Sequence, residues 1–228
     1  VPANPIIPPS FLFRYEFDVR KADCTSLRSQ KGLSPESDFT LLPLPHRLNS
    51  EPSAARAPAA ASFGVAWNAE GVGVRAVVVG RTRRSISLGR GPIELNEGLL
   101  VWFDTRPTGD VQRATRFCVS YSVPPHLNSP AGTVIGATRI PIPRAKESPE
   151  LKPSFKATAF AQRIETGYEV QAWFPPETLP GYDPSVTNRL GFYAIIVDYE
   201  RGPQHLSSSD EFPVAATPSL WCVLNLTG

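Results

Sequence analysis

The sequence predicts an all-β chain: a two-sheet antiparallel β-sandwich of jelly-roll or immunoglobulin-like type, with about eight to ten strands and little helix. Three observations lead there. Proline occurs 25 times in 228 residues, and proline stops helices while being tolerated at strand ends and in turns. The apolar residues recur with a period of two, the spacing of a strand with one buried face. Short turn signals rich in Gly, Asn and Asp separate these runs.

The elements follow in order. "FLFRYEFDV" (11–19) sets Phe11, Phe13, Tyr15, Phe17 and Val19 on one face and Arg14, Glu16 and Asp18 on the other, a half-buried strand. Residues 20–61, rich in Pro, Ser and Ala, have no sustained periodicity and read as an irregular excursion within a single domain spanning 1–228. "FGVAWNAEGVGVRAVVVGR" reads as two strands turning at Asn68–Gly71. Its "GVGVRA" loosely matches a dinucleotide fingerprint, but that motif needs a helix after the glycines and valines follow here.

"EGLLVWFDTR" and "RATRFCVSYSV" form a second pair, joined through the arginine-rich 104–117, "DTRPTGDVQRATRF". A Pro-rich, basic connection leads to "SFKATAFAQRIETGYEVQAWF", a hairpin turning near Glu165–Gly167. "PPETL" suits one helical turn with proline at its start. "RLGFYAIIVDY" and "PSLWCVLNL" complete the strands.

Composition bounds the function. With 23 Lys and Arg against 21 Asp and Glu, no broad field favours a nucleic-acid or membrane partner. Cys24, Cys118 and Cys222 are an odd number without C-x-x-C spacing, so neither a disulfide framework nor a zinc site is expected. The first residues lack the basic start and unbroken apolar stretch of a signal peptide, and no segment approaches a membrane span. The expectation is a soluble chain whose compartment stays open between cytoplasm, slightly favoured, and export.

No nucleophile elbow, H-E-x-x-H, P-loop or EF-hand loop is present. His46, His126 and His205 sit in turn-like stretches and read as loop histidines. A glycosidase could be built from two of Glu97, Asp104, Glu169, Asp198 and Glu200, although strand-end acids are more commonly solvated or paired.

Aromatic phase is more informative. Trp67 falls in phase with Phe63 and Val65, a core position, while Trp221 shares phase with Val223 and Asn225. Trp102 lies opposite Leu99, Val101 and Phe103, and Trp173 opposite Tyr168, Val170, Ala172 and Phe174. Both therefore point to the non-core faces, as stacking platforms for sugar rings or as residues packed under a further cover. Arg106, Arg113 and Arg116, with Asp104, read either as a fork array for carboxylates or sugar hydroxyls or as a latch paired with Asp104 and Asp110. The best-supported expectation is a non-catalytic module for carbohydrate or another small polar ligand, with Trp102, Trp173, Asp104, Arg106, Arg113 and Arg116 as ligand candidates. The alternatives are a structural or protein-interaction module without a sugar site, and a glycoside hydrolase.

The segments "GLLVWFDTR", "RATRFCVSY", "GYEVQAWFPPETLPGYDP", "RLGFYAIIVDYERG" and "FPVAATPSLWCVLNL" resemble the family 9 carbohydrate-binding-module-like domains of the DOMON-like β-sandwich superfamily, and within them a bacterial branch. The similarity covers roughly residues 11–227. The resemblance implies a jelly-roll-like sandwich, sugar gripped between two tryptophans in characterised relatives, and structural calcium in some of them. The branch often has histidine after the R-A-x-R-F-C cysteine; Val119 stands there here, so no histidine-dependent role carries over. Haem held by His and Met, as in some DOMON relatives, is excluded because the chain has no methionine. No cofactor is expected, structural calcium being the one ion the resemblance allows.

Overall fold

The computed structural model describes residues 15–43, 60–82, 97–125, 133–152, 156–207 and 212–228. Phe11, Phe13, Arg14, His46, His126 and the excursion over 44–59 lie outside them.

Two sheets face each other across one apolar layer. The first has the order β1 (Glu16–Arg20), β13 (Cys222–Thr227), β11 (Arg189–Val197), β5 (Gly98–Asp104), β6 (Cys118–Val123), β8 (Thr138–Ile140). In it, β12 (Gln204–His205) pairs with β11 at Ile195 and Ile196, beyond the reach of β13. The second has the order β2 (Thr40–Leu42), β3 (Ala61–Asn68), β4 (Gly71–Val78), β10 (Gly167–Phe174), β9 (Thr158–Ile164), β7 (Ile135–Gly136). All strand pairs are antiparallel except β1 with β13. Nine of these strands run five residues or more, which accounts for the number expected from periodicity. The single α-helix, α1, is one turn over Thr25–Arg28. No helix among the described residues is long and apolar enough to cross a membrane.

Strand phase follows the sequence. Leu99, Val101 and Phe103 of β5 and Tyr168, Val170, Ala172 and Phe174 of β10 all enter the intersheet core. There Phe103 meets Phe174 edge-on with centroids 4.9 Å apart and Phe192 at 5.5 Å. Trp67 is core as predicted, its indole N–H donating to the Val19 carbonyl at 2.7 Å. Both hairpins turn through two residues, Ala69–Glu70 and Glu165–Thr166. "PPETL" becomes a 3₁₀ turn over Pro176–Thr178.

Each sheet is also covered on its outer face. The described part of the excursion carries α1, a 3₁₀ turn at Glu36–Asp38 and β2, and lies across the second sheet. There Cys24, Leu27 and Phe39 pack with Ala66, Phe160 and Trp173. On the first sheet, Leu100, Trp102 and Tyr193 are covered by Ala114, Val214, Leu220 and Trp221. This outer wrapping is what period-two alternation does not announce, because alternation separates two faces without saying what lies over the second.

Candidate functional site

Trp102 and Trp173 project from opposite sheets, on faces turned away from each other, and each is only 3% exposed. The pair expected as stacking platforms is therefore not brought together, and neither presents an open ring face. Trp102 lies against Tyr193, centroids 5.3 Å apart, and its indole N–H has no partner among the described residues. Trp173 lies in a row of small residues, Ala66, Gly73 and Thr158. A Cβ on Gly73 would meet the Trp173 ring at 3.3 Å and Cys24 Sγ at 3.4 Å. The absent side chain is what lets the indole and the covering segment approach.

Trp173 nevertheless lines a cleft of about 370 Å³, together with Arg28 and Gln30 from the covering segment. Glu70 of the β3–β4 turn, Lys156 before β9 and Glu177 after β10 complete its polar wall. Arg28 is ion-paired to Glu70, whereas Lys156 and Glu177 are exposed and have no charged partner among the described residues. Gln30 is presented by the end of α1. Its φ of 59° is left-handed, and its N–H donates to the Leu27 carbonyl at 3.2 Å while the Lys31 N–H donates to Ser26 at 2.9 Å. That is the Schellman closure of a helix, with glutamine where glycine is usual. No pattern in the sequence marks these cleft residues, since they come from four separate stretches of the chain, the end of α1, the β3–β4 turn, the residues before β9 and those at the end of β10, and only the fold joins them.

Beneath the covering segment the outer face of the second sheet is polar. The Gln171 side chain, fully buried, accepts from the Ser34 N–H at 2.8 Å and donates to the Ser34 carbonyl at 2.9 Å. Arg75 bonds Glu169 at 2.6 Å and Glu36 at 3.2 Å. Burial pushes the Glu169 carboxyl up, but donors on Gln171, Arg75 and Gln162 outweigh it and hold it below the usual carboxylate range. This network docks residues 34–36 on β4 and β10, and so positions α1 at the cleft.

The arginine segment resolves into separate roles. Asp104 caps its own turn, accepting from the Arg106 N–H at 3.0 Å; burial pushes its carboxyl up despite that bond. Arg113 donates to the Arg144 carbonyl at 2.8 Å, tying the β5–β6 connection to residues 144–145. Arg106 and Arg116 lie over the Phe117 ring, at 5.8 and 5.2 Å from its centroid. Neither of the two pairs with Asp104 or Asp110 in an ion pair among the described residues, so the expected lattice of salt bridges is not what holds this segment.

Of the acids near strands, Glu97, Asp198 and Glu200 converge at the pole where β5 begins and β11 ends. All three surround Arg81: Glu97 at 3.1 Å, Glu200 at 3.8 Å, and Asp198 in direct contact. The guanidinium occupies the place a cation would take, and among the described residues no group of His, Cys, Asp and Glu is arranged to hold a metal ion. The cluster does not fit the calcium that the resemblance allows. His205 meets Tyr193 Oη through Nδ1 at 2.7 Å, within the cover of the first sheet.

No known family profile matches the sequence, and no curated protein matches it. Solved structures do. A family 9 carbohydrate-binding module from Caldicellulosiruptor kristjanssonii, in complex with glucose, superposes with a TM-score of 0.63 at 12% identity, over 94% of this chain and 96% of that one. The cellotriose complex of a family 9 module from that organism gives 0.62, 12%, 93% and 94%. A candidate carbohydrate-binding protein from Bacteroides uniformis ATCC 8492 gives 0.56 at 14% identity, over 93% of this chain and 99% of that one. The chain therefore has the two-sheet fold of the family 9 carbohydrate-binding modules.

Proposed function

We propose that this chain is a non-catalytic module that binds a carbohydrate, or a small polar ligand of similar size, in the cleft beside Trp173. One observation carries the reading. On a fold whose solved relatives hold glucose and cellotriose, the cleft of about 370 Å³ brings Trp173 together with free amide, ammonium and carboxylate groups. That volume falls within the range of small-ligand pockets. Sugar hydroxyls need such donors and acceptors, and Gln30, Lys156 and Glu177 supply both. Binding rather than hydrolysis is favoured by the state of the acids. Glu70 is held by Arg28, which leaves Glu177 as the one lining carboxylate without an ion pair among the described residues, where glycosidic chemistry uses two.

The test is calorimetric titration with glucose and with cello- and xylo-oligosaccharides, with and without calcium, on the wild type and on a Lys156→Ala/Glu177→Ala variant. Saturable binding is expected, weakened about tenfold or more in the variant while stability moves by no more than about 0.5 kcal/mol per exposed site. A protein shown to be folded that binds none of these sugars refutes the reading. The burial of Trp102 and Trp173 on different sheets, each 3% exposed, would then favour a protein-interaction module that keeps the fold without a sugar site.

A further inference from the structure

Among the described residues, three that are not glycine have a left-handed backbone: Cys24 at φ 45°, Gln30 at 59° and Arg144 at 57°. That conformation is disfavoured for any side chain with a Cβ, and it persists where the surrounding structure gains something from it. Two of the three have such a gain inside the protein. Cys24 is fully buried with Leu27, Phe39 and Trp173, and its carbonyl accepts from the Arg28 N–H of α1 at 2.9 Å. The Arg144 carbonyl accepts from Arg113 at 2.8 Å, the bond that ties residues 144–145 to the β5–β6 connection.

Gln30 has no such internal gain. Its N–H closes the Schellman turn on the Leu27 carbonyl, a bond that glycine would make without strain. Its side chain is exposed and bonds no described residue. What glutamine adds over glycine at this position is an amide arm, on a residue that lines the cleft beside Trp173. The charged groups of that lining cannot do what an amide does. Arg28 and Lys156 only donate, Glu70 and Glu177 as carboxylates only accept, and the two cations offset the two carboxylates. Thr158 brings a single hydroxyl oxygen, whereas an amide sets a donor and an acceptor side by side and carries no charge. It therefore matches two neighbouring hydroxyls, one accepting and the other donating.

We propose that Gln30 is the specificity-determining residue of the cleft, reading a pair of neighbouring hydroxyls on an uncharged sugar, and that the strained turn is kept for that role. The proposal rests on the reading of the cleft as a sugar site. Replacing glutamine by glycine relaxes the backbone and removes the recognition in one step, so stability rises while binding falls. A side chain kept for folding would lose both together.

The experiment compares the whole wild-type chain with Gln30→Gly, Gln30→Ala and Lys156→Ala/Glu177→Ala, by thermal melting and by titration with cellotriose, glucose and the 2-deoxy, 3-deoxy and 6-deoxy forms of glucose. Gln30→Gly should melt about 1–3 °C higher than wild type and bind cellotriose and glucose about tenfold more weakly, the loss expected for two hydrogen bonds. Gln30→Ala keeps the Cβ and loses the amide, so it should weaken binding as much without the gain in melting temperature. The wild type should discriminate against at least one deoxy sugar by about fivefold, and Gln30→Gly by less than about twofold, because a residue and the hydroxyl it reads give non-additive losses. The proposal alone is overturned, and the cleft stands, if wild-type binding is lost in Lys156→Ala/Glu177→Ala but kept in Gln30→Gly. The same holds if Gln30→Gly does not raise the melting temperature, or if discrimination among the deoxy sugars is absent from the wild type or unchanged in that variant. A wild type that binds none of these sugars overturns the reading of the cleft, and this proposal with it.

Discussion

Trp67, Trp102 and Trp221 differ in what their indole N–H groups do, and this sets what each contributes. Trp67 donates to the Val19 carbonyl and Trp221 to the Val214 carbonyl, both at 2.7 Å, whereas the buried Trp102 N–H has no partner among the described residues. An unmet buried donor is costly, and removing it offsets part of the packing lost with the second ring. Trp102→Phe should therefore destabilise by less than Trp67→Phe or Trp221→Phe, by about 1–2 kcal/mol, as read by chemical denaturation. An equal cost for all three would mean that packing volume alone governs these positions. Trp173, packed against Cys24, Leu27 and Phe39, belongs with the packed residues by its burial, although it also lines the cleft.

At the scale of elements, the segment from α1 to β2 owes its position to a polar contact as well as an apolar one. Leu27 and Phe39 supply the apolar part, and Gln171, Glu169 and Arg75 hold Ser34 and Glu36. Because Glu169 has its carboxyl held below the usual range in the folded state, the stability it contributes is fully present above the unfolded value. It is lost as pH falls through the folded one. Glu169→Gln should cost about 1.5–3 kcal/mol at pH 7, and the difference from wild type should shrink as pH drops below the ordinary carboxylate range. Denaturation midpoints measured across that range check both sign and window; a pH-independent difference would show that the charge is not what docks the segment. The same variant should loosen hydrogen-exchange protection of the α1 amides, which hold Arg28 and Gln30 at the cleft.

Over the whole molecule, the two poles do different work. At the pole where β10 ends and β11 begins, Tyr182 donates to the Asn68 carbonyl at 2.9 Å, and the connection runs from Glu177 in the cleft to Gly181 beside Phe117. The cleft and the Phe117 ring therefore border one connection. At the other pole, Arg81, leaving β4 of the second sheet, meets Glu97 and Asp198 at the ends of β5 and β11 of the first, and so joins the two layers. Arg81→Ala would leave two almost fully buried carboxylates without their cation and should cost about 3–5 kcal/mol, measured by urea unfolding; a loss under about 1 kcal/mol would mean that water or another group takes over. The sequence alone determined the class of fold, both hairpins and the faces to which Trp67, Trp102 and Trp173 point, because a strand's period of two is a local property of the chain; Trp221 was placed only by the structure. It also raised the alternatives of platform or packed residue for Trp102 and Trp173, and of fork or latch for the arginines. Only the tertiary structure decided that both tryptophans are covered, that Arg113 is a latch while Arg106 and Arg116 stack on Phe117, and where a cleft opens. The physical reason is distance along the chain. Gln171 and Ser34 are 137 residues apart and Arg81 and Asp198 are 117 apart, and such pairs are brought together by strand order and by what folds over each outer face.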